Sequence, residues 1–132
     1  MRYILLATHA NLALGFIDAV KLIAGEQQAQ RVFPLCMTLG KQPEDFIRET
    51  AAFLEDKQPE DEYLIFCDLY GASPCNSALM GFRYTNYRVI TGVNLGVILE
   101  ALCIIDMMSL DELSDQLVQR GKEGIVKIHI QS

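Results

Sequence analysis

Apolar residues fall along this chain in short blocks separated by polar breaks, and the spacing inside each block names an element. Tyr3 to Ala7 is an unbroken apolar run ended by Thr8-His9-Ala10-Asn11, which predicts a first strand. From Leu12 to Ala24 the apolar residues Phe16, Val20 and Ile23 recur at helical spacing, and Gly25 predicts a stop. Arg31 to Met37 reads as a second strand, placed at a sheet edge because Pro34 lacks a ladder donor. Pro43 suits a first helical position, with Glu44 and Asp45 at the positive end of the dipole and Phe46, Ile47, Ala51 and Leu54 as the apolar face.

The second half repeats the alternation. After a solvated acidic linker, Glu55 to Glu62, the run Tyr63 to Cys67 has the near-continuous hydrophobicity of a strand buried on both faces. Ser73 is expected to cap a helix that Pro74 opens and that runs to about Phe82, and Tyr87 to Thr91 is a fourth strand. Asn94 is the expected cap of a helix over 95–105 whose buried stripe is Leu95, Ile98, Leu99 and Leu102. Ser109-Leu110-Asp111-Glu112 fits a capping box, followed by a helix through Leu113 and Leu117 that Gly121 closes. Ile125 to Ile130 reads as a terminal strand with Val126, Ile128 and Ile130 on one face.

Alternating strands and helices predict an open, doubly wound α/β sheet with parallel strands and helices on both faces. Ligands in such sheets bind beyond the carboxyl ends of the strands, where strand order reverses. If the first, third and fourth strands are neighbours, the segments Thr8-His9, Asp68 to Asn76 and Thr91 to Asn94 share one rim.

Composition narrows the field. A chain of 132 residues is the size of one domain, and residues 1–132 are read as one. The net charge of −6, spread over helix surfaces, argues against nucleic acid or an anionic membrane as partner. No apolar stretch approaches a membrane span, and the N-terminal run is too short for a signal-peptide core. Cys36, Cys67, Cys75 and Cys103 show no C-x-x-C spacing and sit mostly in apolar segments, as reduced thiols of a cytoplasmic protein would. With only His9 and His129 beside them, no zinc site or other cofactor is expected.

The chemistry concentrates on His9 and Asp68. A neutral imidazole is a nucleophile through one nitrogen when the other donates its proton to a fixed carboxylate. Backbone N–H groups around Gly71 to Asn76, with the helix dipole, favour an anionic group beside that ring, and Gly71 and Ala72 leave room for close approach. Phosphoryl transfer needs little more than such positioning and charge stabilisation. The sequence has no G-x-x-x-x-G-K-[ST] loop, so the phosphoryl group is expected from another protein rather than from a nucleoside triphosphate.

These residues resemble the enzyme IIA component of the mannose-family bacterial sugar phosphotransferase system (PTS), across essentially the whole chain. Thr8-His9-Ala10 stands where the family has Ser-His-Gly. Asp68-Leu69-Tyr70-Gly71-Ala72-Ser73-Pro74-Cys75-Asn76 matches Asp-Leu-x-Gly-Gly-Ser-Pro-x-Asn, and Thr91-Gly92-Val93-Asn94 matches Thr-Gly-x-Asn. Ala10 and Ala72 depart from the family's glycines. The resemblance implies that His9 takes a phosphoryl group from the histidine-containing phosphocarrier protein and passes it to a separate IIB component, with Asp68 orienting the imidazole. It implies phosphate contacts at Thr8, Gly71, Ala72, Ser73 and Asn94, a cytoplasmic protein that meets the membrane only indirectly, and a homodimer. In that dimer the last strand lies antiparallel at the sheet edge and is exchanged between subunits.

Other readings of the same residues weigh less. A serine hydrolase using Ser73, His9 and Asp68 lacks the final glycine of G-x-S-x-G, and Pro74 withholds an oxyanion-hole N–H. A receiver-like binding module shares the fold class, but its first strand would end in acidic residues rather than Thr8-His9. His129 reads as a surface residue, and Met107-Met108 as core or interface filler.

Overall fold

A computed structural model describes residues 1–131. Its strands are β1 (Arg2–His9), β2 (Val32–Met37), β3 (Glu62–Cys67) and β4 (Asn86–Thr91). They form one parallel sheet in the order β2-β1-β3-β4. The order reverses between β1 and β3, and the register that pairs Ala7 with Cys67 and Cys67 with Thr91 brings three strand ends level. Pro34 lies on the outer strand β2, where its missing donor costs no ladder bond.

Helices α1 (Leu12–Ala24), α2 (Glu26–Ala29), α3 (Pro43–Leu54), α4 (Ser73–Phe82), α5 (Leu95–Ile104) and α6 (Leu110–Glu123) connect and cover the strands. On one face Ile4, Leu6, Leu64, Phe66 and Ile90 pack against Val20 of α1, Ile98 and Leu102 of α5, and Leu113 and Leu117 of α6. On the other, Leu5, Ala7, Tyr63, Ile65 and Cys67 pack against Phe46 of α3 and Cys75, Ala78 and Phe82 of α4. β1 and β3 therefore bury alternate side chains on both faces, and this double burial is why their sequences are apolar throughout.

Several helix ends follow their local chemistry. Ser109 Oγ accepts from the Glu112 N–H at 3.2 Å, and Asp45 reaches back to the Gln42 N–H at 2.9 Å to cap α3. Gly25 closes α1 by donating to the Lys21 carbonyl. Gly121 does not close α6. The helix runs on to Glu123, and a Cβ at position 121 would lie 3.4 Å from Val97 Cγ2, so this glycine serves α5–α6 packing rather than termination.

The expected faces of two helices shift. Ile23 is 59 % exposed, and α1 buries Ala13 and Val20 with Phe16 and Ile17 half-buried. On α3, Ala51 faces solvent and Thr50 is buried in its place, its hydroxyl donating to the Phe46 carbonyl at 3.0 Å. That internal bond lets a polar residue enter the core.

The expected terminal strand is absent from the sheet. Residues 125–130 are irregular, with Ile125, Val126, Ile128 and Ile130 each at least 73 % exposed. All four strands are parallel, so no antiparallel edge strand completes the described sheet. A strand with one apolar face needs both a ladder partner and a surface to cover that face, and nothing in this segment's alternating pattern supplies either within one chain.

Candidate active site

Asp68 follows the last residue of β3, and His9 is the last residue of β1, so the central strand pair delivers both side chains to the same rim. His9 Nδ1 and Asp68 Oδ2 are 2.9 Å apart, and the same oxygen accepts the His9 backbone N–H at 2.8 Å. The other carboxylate oxygen accepts the Leu69 N–H at 2.9 Å. Asp68 is only 11 % exposed at its side chain, whereas the His9 ring is 47 % exposed. Burial pushes the Asp68 carboxyl up, but the hydrogen bonds from the His9 backbone and ring and from Leu69 outweigh it and hold the group below its ordinary value.

With Asp68 ionised, the tautomer is assigned: Nδ1 carries the proton and donates it, leaving the Nε2 lone pair available. No hydrogen bond to Nε2 is made among the described residues, and half of the ring is open to solvent.

The turn after Asp68 contributes backbone. Gly71 adopts φ +73°, a conformation glycine reaches without steric cost, and Asn76 Nδ2 donates to its carbonyl at 3.2 Å. Ser73 does not cap α4. Ala72 occupies the cap position in extended conformation and Ser73 is already the first helical residue, exposed, so the first N–H groups of α4 have no side-chain acceptor. Pro74, one residue later, fits because a first-turn N–H has no helical partner to lose.

Two residues expected to contact phosphate make hydrogen bonds at helix starts. Thr8 is wholly buried, and its Oγ1 accepts the Ala13 N–H at 2.9 Å, satisfying the start of α1. Asn94 caps α5 as expected, with Oδ1 accepting the Val97 N–H at 2.9 Å while Nδ2 reaches the Gly121 carbonyl at 3.4 Å. The starts of α1 and α5 are thus closed by side chains, and that of α4 is not. The segment around Asn94 still joins the rim, through a hydrogen bond from the Val93 N–H to the Cys67 carbonyl at 3.1 Å.

Sequence reasoning expected main-chain donors around Gly71 to Asn76 but missed those that hold Asp68. The His9 and Leu69 N–H groups that hold Asp68 leave no mark in residue type. Ala10 carries a weak one: it stands at φ +49° and donates its N–H to the Met37 carbonyl of β2 at 2.8 Å, a position where glycine would be unstrained. Exposed apolar side chains also gather on the loops and helix start beyond the strand ends: Leu12, Leu14, Leu39, Leu69 and Tyr70. No hydrogen bond links Ser73 to His9 among the described residues, and the hydrolase reading requires one. Nor does any helix there have the length and apolarity to cross a membrane.

Known proteins with this fold share its architecture closely. The structure superimposes on a mannose/sorbose-specific IIA subunit of the phosphotransferase system from Enterococcus faecalis with a TM-score of 0.86 and 26 % identity, covering 99 % of this chain and 97 % of that one. Phosphotransferase system component EIIA from Streptococcus agalactiae matches with a TM-score of 0.80 and 27 % identity over 96 % of this chain and 97 % of that one. A PTS IIA protein associated with the fucose utilization operon from Streptococcus pneumoniae gives 0.79 and 26 % over 96 % and 92 %. Residues 3–118 match the EIIA-man family model, PTS system fructose IIA component. The chain therefore belongs to the mannose/fructose family of IIA components of the sugar phosphotransferase system.

Proposed function

We propose that this chain, read over 1–132 as a single IIA domain, is a cytoplasmic phosphocarrier in which His9 is transiently phosphorylated on Nε2. The Nε2 lone pair attacks the phosphorus of a phosphohistidine on the histidine-containing phosphocarrier protein. The donor's P–N bond breaks with its electron pair returning to the donor imidazole, and a P–N bond forms on His9. Asp68 keeps the Nδ1 proton in place and balances the charge on the ring. The reverse geometry passes the group to a IIB component. Gly71, Ala72 and Ser73 would receive the phosphoryl oxygens through main-chain N–H groups and the Ser73 hydroxyl, with Thr8 and Asn94 shaping the rim as caps.

The observation that carries this reading is the 2.9 Å contact of Asp68 with Nδ1, beside an uncapped helix start. Family membership supports it, and the apolar collar of Leu12, Leu39, Leu69 and Tyr70 suits a protein donor. The test is phosphorylation from phosphoenolpyruvate through the two general phosphotransferase proteins, read by intact mass. Wild type should gain one acid-labile, base-stable phosphoryl group, and His9→Ala should gain none while keeping its circular dichroism spectrum. Asp68→Asn should slow the transfer by about 10- to 150-fold, the equivalent of about 1.5–3 kcal/mol for a hydrogen bond to a charged group. Phosphorylation of His9→Ala would refute the assignment.

The same reading includes a homodimer built by the C-terminal segment. β4 is an outer strand, and a cleft of about 430 Å³ beside it is lined by Val89, Ile90, Val97, Leu117 and Ile125. Residues 125–130 of one copy would add an antiparallel strand there to the other, covering Val126, Ile128 and Ile130. Sedimentation should give a dimer for the full chain and a monomer after truncation at Gly124. A dimer that survives the truncation would place the interface elsewhere.

A further inference from the structure

The turn after Asp68 offers backbone donors only where its peptides face outward, and Asn76 sets the direction of two of them. Asn76 stands exposed in the first turn of α4 and takes up successive carbonyls: its side-chain Nδ2 donates to Gly71 at 3.2 Å, and its main-chain N–H donates to Ala72 at 3.1 Å. The bond to Ala72 is the ordinary opening of a helix. The bond to Gly71 is an addition, because that carbonyl precedes the cap and has no helical donor of its own. All described peptides are trans, and a trans peptide points its N–H opposite to its C=O. With both carbonyls turned toward Asn76, the Ala72 and Ser73 N–H groups point away from it. Neither finds an acceptor among the described residues.

We propose that Asn76 is a positioning residue for phosphoryl transfer, fixing the Gly71–Ala72 peptide so that the Ala72 N–H joins the Ser73 N–H as a donor to the phosphoryl group. This role rests on the phosphocarrier reading of His9. Packing does not hold the peptide from the Gly71 side: a Cβ there would meet no atom within 4 Å, and the turn borders an open cleft of about 410 Å³ lined by Tyr70, Gly71, Asn76 and Thr91. Gly71 itself tolerates either orientation. Were the peptide to turn over, the Gly71 oxygen would stand where the donor had been and present partial negative charge to an anionic group.

Ala72 supplies a second restraint. Turning the peptide rotates ψ of Gly71 and φ of Ala72 together, and it would carry Ala72 from φ −85° to the positive side, where its methyl group is strained. The glycine of the family pattern carries no such penalty. In this chain the methyl group and the Asn76 amide therefore guard the same peptide, and each masks part of what the other contributes.

The test compares phosphorylation rates from phosphoenolpyruvate for wild type, Asn76→Ala, Ala72→Gly and the double variant, none of which alters charge. Asn76→Ala should accept phosphoryl about 2- to 10-fold more slowly, the range of one net hydrogen bond, while its urea midpoint holds because alanine's better helix propensity offsets the lost bond. The double variant should be slower than the product of the two single effects by about 3-fold or more. Relaxation dispersion of the residue-72 amide nitrogen, recorded with no phosphoryl donor present, should be flat for wild type and reveal microsecond-to-millisecond exchange in the double variant. An Asn76→Ala rate equal to that of wild type overturns the proposal, and so does a rate that falls only in step with the loss of folded protein. Simple multiplication of the single effects, or flat dispersion in the double variant, overturns it as well. Wild type that takes no phosphoryl group defeats the phosphocarrier reading and the role in transfer with it, whereas the dispersion still reads the hold of Asn76 on the turn.

Discussion

Ala10 and Ala72 both replace glycines of the family pattern, yet the backbone treats them differently. Ala72 is extended, at φ −85° and ψ 165°, where any residue is comfortable. Ala10, at φ +49°, holds its Cβ against the following carbonyl, a strain of about 1–2 kcal/mol for an L-residue. Glycine would relieve that strain but would also gain about 0.4–1 kcal/mol of freedom in the unfolded chain. Ala10→Gly is therefore expected to raise stability by about 0.5–1 kcal/mol, read as a higher urea midpoint at unchanged slope. A lower midpoint would mean that the methyl group makes contacts worth more than the strain. The same residues mark how far a sequence can be read at this scale. His9 and Asp68 are visible because their chemistry sits at predicted strand ends, whereas the N–H groups of His9 and Leu69 are hidden because every residue carries one.

Where α3 meets α4, the helices approach so closely that one side chain has been given up. A Cβ on Gly81 would fall 2.4 Å from Thr50 Cγ2 and 2.7 Å from Thr50 Cβ. Gly81→Ala should accordingly destabilise the protein by about 1–3 kcal/mol through overpacking, despite alanine's better helix propensity. Thr50→Ala in the same chain should recover only part of the loss, since it removes Cγ2 but keeps Cβ; thermal or urea unfolding of the single and double variants measures this. Full recovery would show that Cγ2 alone sets the spacing. Elements were legible where a segment's own pattern decides the outcome: four strands, the capping of α5 by Asn94 and the edge position of Pro34 all follow from local rules. The reading failed where a neighbour decides. Gly121 looked like a helix stop and is a packing contact, Ser73 looked like a cap and lies one residue inside the helix, and residues 125–130 have strand patterning without a partner strand.

Acid should act on the whole molecule through Asp68. Its carboxyl is held below the ordinary value in the folded state, so the stability it contributes is complete above the unfolded carboxylate value of about 3.9 and is lost as pH falls through the lower folded value. Urea midpoints measured from neutral pH into this acid range should fall more steeply for wild type than for Asp68→Asn, and parallel curves would remove Asp68 from the account. The double grip of one Asp68 oxygen on both the main chain and the ring of His9 has a kinetic corollary. This chelate immobilises the imidazole when the chain folds, so no rotational search remains for the moment of collision. If His9 carries the phosphoryl group as proposed, throughput is governed by how often partners meet, and it should respond to solvent viscosity and ionic strength rather than to any closing motion of this chain.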